Sequence, residues 1–288
     1  AQQREMMGRT AGYVAHAIRQ LPHFYAARLL THYESAIAAD PSPADFGALH
    51  AVRLSRSTVQ YNDGEESVQA AAVKASRHND ADEGLHTWGV FGPIVSLVLL
   101  DAAQNQLAWS HWEQGASGPL AVFRYSVPQA KSHYEVRFCC VVSTYGFESK
   151  LFRQMSGYHG EIGIDPGTGN ILRLTLHAEL GSDAPITRAD LLVEYAPVEL
   201  GGASYICPAH SVSISIAKTL RRVQDATGRI YPAMGPPQEL LNDTEFDHYH
   251  LFQTETRILS GNEERAAGMA QDATLPTPPS DDVQPSEE

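Results

Sequence analysis

The sequence predicts an α+β fold: a single curved antiparallel β-sheet, an incomplete barrel, with helices packed on the concave face. Three observations predict it. About ten extended segments follow one another from residue 23 onward, separated by turn-forming residues. Only two segments carry a helical pattern, one amphipathic at the front and one apolar and inserted early. The alternation of strand and helix that a doubly wound nucleotide fold requires is missing. A strongly curved sheet has a concave face that its own side chains cannot fill, so helices or a ligand must occupy it.

Each element has its own signal. From Glu5 to Leu21, the residues Met7, Ala11, Val14, Ile18 and Leu21 recur at steps of four and three, one stripe of a helix that Pro22 ends. Tyr25, Ala27, Leu29, Thr31 and Tyr33 then alternate as in a strand. Residues 50 to 75 read as a hairpin turned by Asn62, Asp63 and Gly64. Between Gly89 and Gln104, Gly92 and Pro93 stand where a helix begins, and Ile94, Val95, Leu97, Val98, Leu99 and Leu100 make it apolar nearly all round. Extended segments follow at Gln106–Glu113, Leu120–Val127, Ser132–Val142 and Tyr158–Asp165. After the turn Asp165–Asn170, Leu172, Leu174, Leu176, Ala178 and Leu180 alternate with polar residues, so one face is buried and the other wet. Ala189–Val198, Tyr205–Ile216 and Glu245–Leu259 complete the sheet, with a polar connection over Thr219–Asp243 expected to loop across the surface.

The first 260 residues thus form the curved-sheet domain, and 261–288 form a Pro- and Ser-rich tail in which seven carboxylates face Arg265 alone, a composition that predicts disorder. The net charge of −13 argues against nucleic acid as a partner. The longest apolar run, Ile94 to Leu100, is far short of the roughly 20 residues that cross a bilayer, so no transmembrane segment is expected. The polar start Ala1-Gln2-Gln3 fits a chain from which a signal peptide has been removed, and points to a periplasmic or secreted protein. Cys139 and Cys140 are adjacent in a strand and point to opposite faces, so only one of them can meet Cys207. One bridge with one buried thiol, and three packed thiols, both remain open.

The helix ending at Leu21-Pro22, the aromatic strand Phe24–Tyr33 and the run Tyr158–Arg173 (YHGEIGIDPGTGNILR) together resemble the LolA and RseB-like superfamily of periplasmic lipoprotein carriers. The resemblance covers about Glu5 to Leu259 and implies an incomplete barrel, covered by helices, that accepts acyl chains or lipoproteins.

Catalytic signatures are weak. His248 and His250, two apart on a strand with Phe246 and Phe252, lack a third metal ligand, and neither a cofactor nor a metal is expected. His159 and Glu161 share a strand face, where a cross-strand polar pair outweighs an acid–base pair. Gly115–Gly118 lies in a loop and makes no nucleophile elbow. No phosphate-binding glycine motif can be drawn. The expected ligand-binding residues are Trp88, Phe91, Ile94, Leu97, Val98, Trp109, Trp112, Phe123 and Tyr125, lining a hydrophobic concavity. Gly89 and Gly92 would let the approach to the apolar helix move as a lid. The expectation is a noncatalytic exported protein binding an apolar small molecule or lipoprotein acyl chain. The alternatives are an envelope scaffold or sensor that recognises a protein partner, and hydrolysis through His159, Glu161 or His248.

Overall fold

A computed structural model describes residues 2–17, 21–36, 47–70, 84–116, 118–142, 149–181, 184–224 and 226–252. The helices are α1 (Gln2–Ala17) and α2 (Pro93–Gln104). The strands are β1 (Phe24–Ser35), β2 (Leu49–Asn62), β3 (Glu65–Ala70), β4 (Gly84–Leu85), β5 (Gln106–Gly115), β6 (Gly118–Val127) and β7 (Glu135–Val142). They continue with β8 (Ser149–Met155), β9 (Gly157–Ile164), β10 (Ile171–Glu179), β11 (Ile186–Leu200), β12 (Ala203–Gln224) and β13 (Ile230–Leu251). The acidic tail expected over 261–288 lies outside the described residues.

Ten strands pair antiparallel in the open order β3-β2-β1-β13-β12-β11-β10-β9-β6-β5, and β4-β7-β8 form a second sheet. The single sheet expected from the sequence is therefore corrected to two. Pro128 and the 3-10 turn Gln129–Lys131 take the chain out of the large sheet after β6. It makes β7 and β8, then turns back at Ser156, whose hydroxyl donates to the carbonyls of Gly157 and Glu179, both at 2.8 Å. β9 then resumes beside β6.

The connection expected over Thr219–Asp243 is also corrected. β12 runs to Gln224 and β13 begins at Ile230, with the two paired along their length. β1 reaches β13 only from Leu240 onward, so Pro232, Pro236 and Pro237 lie where β13 has β12 on one side and no described partner on the other. Pro236 and Pro237 also fall at the register shift between Lys218 and Leu220, an irregularity of the ladder where a missing N–H is tolerated.

Which residues face inward differs from the plain hydrophobic pattern at three places. On α1 the buried residues are Met6 and Thr10, with Met7, Tyr13 and Val14 beside them, so the helix is turned slightly from the expected stripe. On β1 the buried set is Phe24, Ala26, Leu30 and His32, and the alternate set with Tyr25 and Leu29 faces away. On β12 the serines Ser211, Ser213 and Ser215 point inward, while Val212, Ile214 and Ile216 take the opposite face.

This serine row, with Gln238, Asn242 and Thr244 of β13 and His32 of β1, forms a buried polar seam. The small sheet lies across it. Gly84 of β4 comes so close that an added Cβ would sit 3.3 Å from Asn242 Nδ2. Asn242 Nδ2 donates to the Leu85 carbonyl at 3.4 Å, and its Oδ1 lies 2.6 Å from His32 Nδ1. Beyond the seam, Phe138, Ile186, Ala217 and Leu240 close a minor core. Cys139 is disulfide-bonded, whereas Cys207 is a free buried thiol, so the bridge to Cys207 is not made. The Cys140 side chain lies outside the described residues.

The main core gathers Ile94, Val95, Val98 and Ala102 of α2 against Phe123, Tyr158, Ile162, Leu174 and Leu191 of the large sheet. Asp101 is the polar anchor of this helix. Its carboxylate accepts the Tyr158 hydroxyl at 2.9 Å and the His133 backbone N–H at 3.0 Å, and it pairs with His133 Nδ1 at 2.6 Å.

The turn before β10 receives α1. Asp165 Oδ1 accepts the N–H groups of Gly167 and Thr168, and Arg9 donates to the carbonyls of Pro166 (2.7 Å) and Gly167 (3.1 Å). Gly169 has φ +82, and an added Cβ would stand 2.8 Å from Arg9. Gly169→Ala is therefore expected to lower stability by about 1–3 kcal/mol in urea denaturation, and to speed amide exchange in α1.

Candidate functional site

A cavity of about 310 Å³ opens between the two helical segments and the middle of the large sheet. Its walls come from Tyr13 of α1 and the following Leu21, from Phe91, Gly92 and Val95 around the start of α2, and from Ile171 and Leu172 of β10. Tyr195 and Pro197 of β11 and Ser204, Tyr205 and Ile206 of β12 complete it, with Asp165 and Asn170 at the turn. The volume falls at the lower end of the range of small-molecule sites, about 300–1,000 Å³.

The lining is mainly aromatic and aliphatic. Tyr195 is 9% exposed, and its hydroxyl is buried with no hydrogen-bond partner among the described residues. Burial, reinforced by the field of Glu66 and Tyr13, raises its pKa well above the ordinary phenol value. Burial likewise pushes the nearby Tyr13 hydroxyl up to about 12 and the Cys207 thiol up to about 12. Tyr13 and Tyr195 stay protonated at neutral pH and so present neutral hydroxyls to the cavity.

A second cavity of about 140 Å³ also borders Phe91. Arg28, Glu66, His86, Arg137, Asn242 and Thr244 contribute polar groups to it, and Val59, Leu85, Trp88, Val90 and Phe246 apolar ones. Phe91 lines both spaces. It is seated among Phe24, Tyr61, Phe246 and Tyr249, with ring centroids 5.2–6.3 Å away. Its backbone is held too, because the Glu66 carboxylate accepts the N–H of Phe91 at 2.7 Å and that of Gly89 at 3.1 Å. Gly89 (φ +70) and Gly92 (φ +152) supply the backbone conformations that this tight approach to α2 needs.

The residues expected to line a concavity divide accordingly. Phe91 borders both cavities and Trp88 the smaller one. Ile94, Val98, Phe123 and Tyr125 are buried in the main core, and Leu97 packs against it. Tyr125 spends its hydroxyl on the Thr175 carbonyl at 2.6 Å. Trp109 stacks edge-on with Phe123 and Trp112, and Trp112 is half exposed. Sequence reasoning missed Tyr13, Leu172, Tyr195, Tyr205 and Ile206. For Leu172, Tyr205 and Ile206 the available signal was their place at the start of strands that follow the Asp165–Asn170 and Gly201–Gly202 turns.

The histidine candidates are scattered. His248 has φ +48 and pairs with the adjacent Asp247, and the shifted register there sends Tyr249 into the core while His250 stacks on exposed Tyr25. The two histidines therefore do not share a face with buried Phe246, contrary to the simple alternation. His159 pairs with Glu179 at 3.4 Å and stacks on His177, while the Glu161 carboxylate accepts the Ser110 hydroxyl at 3.4 Å and its backbone N–H donates to Thr175 Oγ1 at 2.9 Å. Among the described residues no group of three or more His, Cys, Asp and Glu is placed to hold a metal ion. Comparison with protein-family models, curated proteins and solved structures finds no match to this chain.

Burial, partly offset by the backbone N–H groups and Arg28, pushes the Glu66 carboxyl up from 4.5 to about 7. The folded state then holds this proton more tightly than the unfolded chain, so the contribution of Glu66 to stability declines as pH rises from 4.5 to about 7. Thermal midpoints measured between about pH 5 and pH 8 are expected to fall more steeply for the native chain than for Glu66→Gln.

Proposed function

We propose that the protein is a noncatalytic binder of an apolar ligand, a lipid or the acyl chain of a lipoprotein, held in the 310 Å³ cavity between the helices and the large sheet. The single observation that carries this reading is the lining: aromatic and aliphatic side chains from five separate segments converge on a space that none of them fills. In this reading the open antiparallel sheet curves around α1 and α2, in the manner of the LolA and RseB-like carriers that the sequence resembles. Export to the periplasm or beyond belongs to the same proposal, and the disulfide at Cys139 supports it, since such bonds persist in oxidising compartments. No helix among the described residues is long and apolar enough to cross a membrane.

A second reading rests on the opposite face of the large sheet. There Val212, Ile214 and Ile216 of β12 stand beside Leu192 of β11 and Leu241 of β13, an apolar group that favours recognition of a protein partner.

The test is binding of the neutral apolar fluorophore N-phenyl-1-naphthylamine. The native chain is expected to bind it with micromolar affinity. Leu172→Trp, which places a large ring in the cavity from a partly exposed strand position, is expected to weaken binding at least tenfold while leaving the thermal midpoint within about 3 °C. Absence of binding by the native chain, or equal binding by the variant, would overturn the reading.

A further inference from the structure

Resting on the apolar-ligand reading, we propose that the smaller cavity is a head-group subsite, and that the whole site takes a single-chain anionic amphiphile such as a fatty acid. The carboxylate lies against Arg28 and Arg137, and the chain passes Phe91 into the larger cavity.

The two spaces differ in chemistry as the two ends of such a ligand do. The larger is walled mainly by aromatic and aliphatic groups, whereas Arg28, His86 and Arg137 all border the smaller, with Thr87, Asn242 and Thr244 beside them. Two acids stand near this group. Glu66 turns its oxygens to the N–H groups of Gly89 and Phe91, and burial keeps it partly protonated near neutral pH. Glu135 occupies only the Nε edge of Arg137, at 2.5 Å. The Arg137 guanidinium carbon sits 5.3 Å from the Trp88 ring centroid, so an aromatic face and a carboxylate edge together fix its plane. A guanidinium fixed in this way is suited to paired hydrogen bonds with a carboxylate.

The two linings share one residue. Phe91 borders both, and it stands between Gly89 and Gly92, whose positive φ angles mark the two backbone positions able to re-aim it. Turning that ring joins head and tail spaces into one site. The Tyr195 hydroxyl, unpartnered among the described residues, adds a neutral donor in the wall of the larger cavity for a polar group along the chain.

The experiment is displacement of N-phenyl-1-naphthylamine from the full chain at neutral pH by laurate, by 1-dodecanol and by butyrate. Laurate is expected to displace it at a concentration at least tenfold lower than 1-dodecanol, and butyrate, a head without a chain, is expected not to compete. Arg28→Gln and Arg137→Gln are each expected to shrink the preference for laurate, with 1-dodecanol displacement from the same variant as the folding control. Equal displacement by laurate and 1-dodecanol would overturn the head-group subsite while leaving the apolar cavity in place. Butyrate competing as well as laurate would overturn it in favour of a small-anion site. A native chain that fails to bind the fluorophore at all would remove both readings together.

Discussion

Phe91 sits where the demands of packing and of binding meet. Its ring completes an aromatic cluster drawn from β1, β2 and β13, strands far apart in sequence that the large sheet brings side by side. Its backbone N–H is received by Glu66 on β3, and two residues later Pro93 starts α2. The start of the helix is therefore tied to the seating of this ring, which borders both cavities. Removing a buried phenylalanine of this kind costs roughly 3–5 kcal/mol, comparable to a large part of a domain's net stability. Glycine at 89 lets the loop come so close, since an added Cβ would stand 3.0 Å from the Ile94 nitrogen and from Pro93 Cβ.

The remainder of the covering layer is held differently. α2 rests on a greasy contact pinned by Asp101, Tyr158 and His133, whereas the small sheet crosses a seam of serines, Gln238, Asn242 and His32. Short polar side chains allow its backbone to approach, and the Asn242 amide crosses the seam to the Leu85 carbonyl. Ser213 and Ser215 hydroxyls are buried without a partner among the described residues, which limits how strongly that seam binds. The apolar cavity thus lies under the well-packed part of the cover, next to α2 and away from the polar seam.

Much of this architecture is legible from local chemistry. Asn62-Asp63-Gly64 turns a hairpin, Asp165–Asn170 turns another, and the apolar run after Pro93 is a helix, because in each case the turn residue or the period is dictated within a few residues. What was not legible depends on distant partners. Pro236 and Pro237 look like a loop until β12 is known to lie on one side only, and Ser213 looks like a surface residue until β4 and β7 are known to cover it. The candidate site follows the same division. Phe91 stood out through its flanking glycines, but Tyr195 and Tyr205 line the cavity because the register of β11 with β12 sets them there. Ile94 and Val98, equally apolar, face the core instead. Hydrophobicity alone does not tell a wall from a filling.

The most direct test of the account is to locate a bound chain. With laurate carrying a ¹³C-labelled terminal methyl group, the account places that methyl against the rings of Tyr13, Tyr195 and Tyr205, giving nuclear Overhauser contacts to those three side chains. Contacts instead to the outward residues Val212, Ile214 and Leu241, or to no side chain of the cavity, would contradict it.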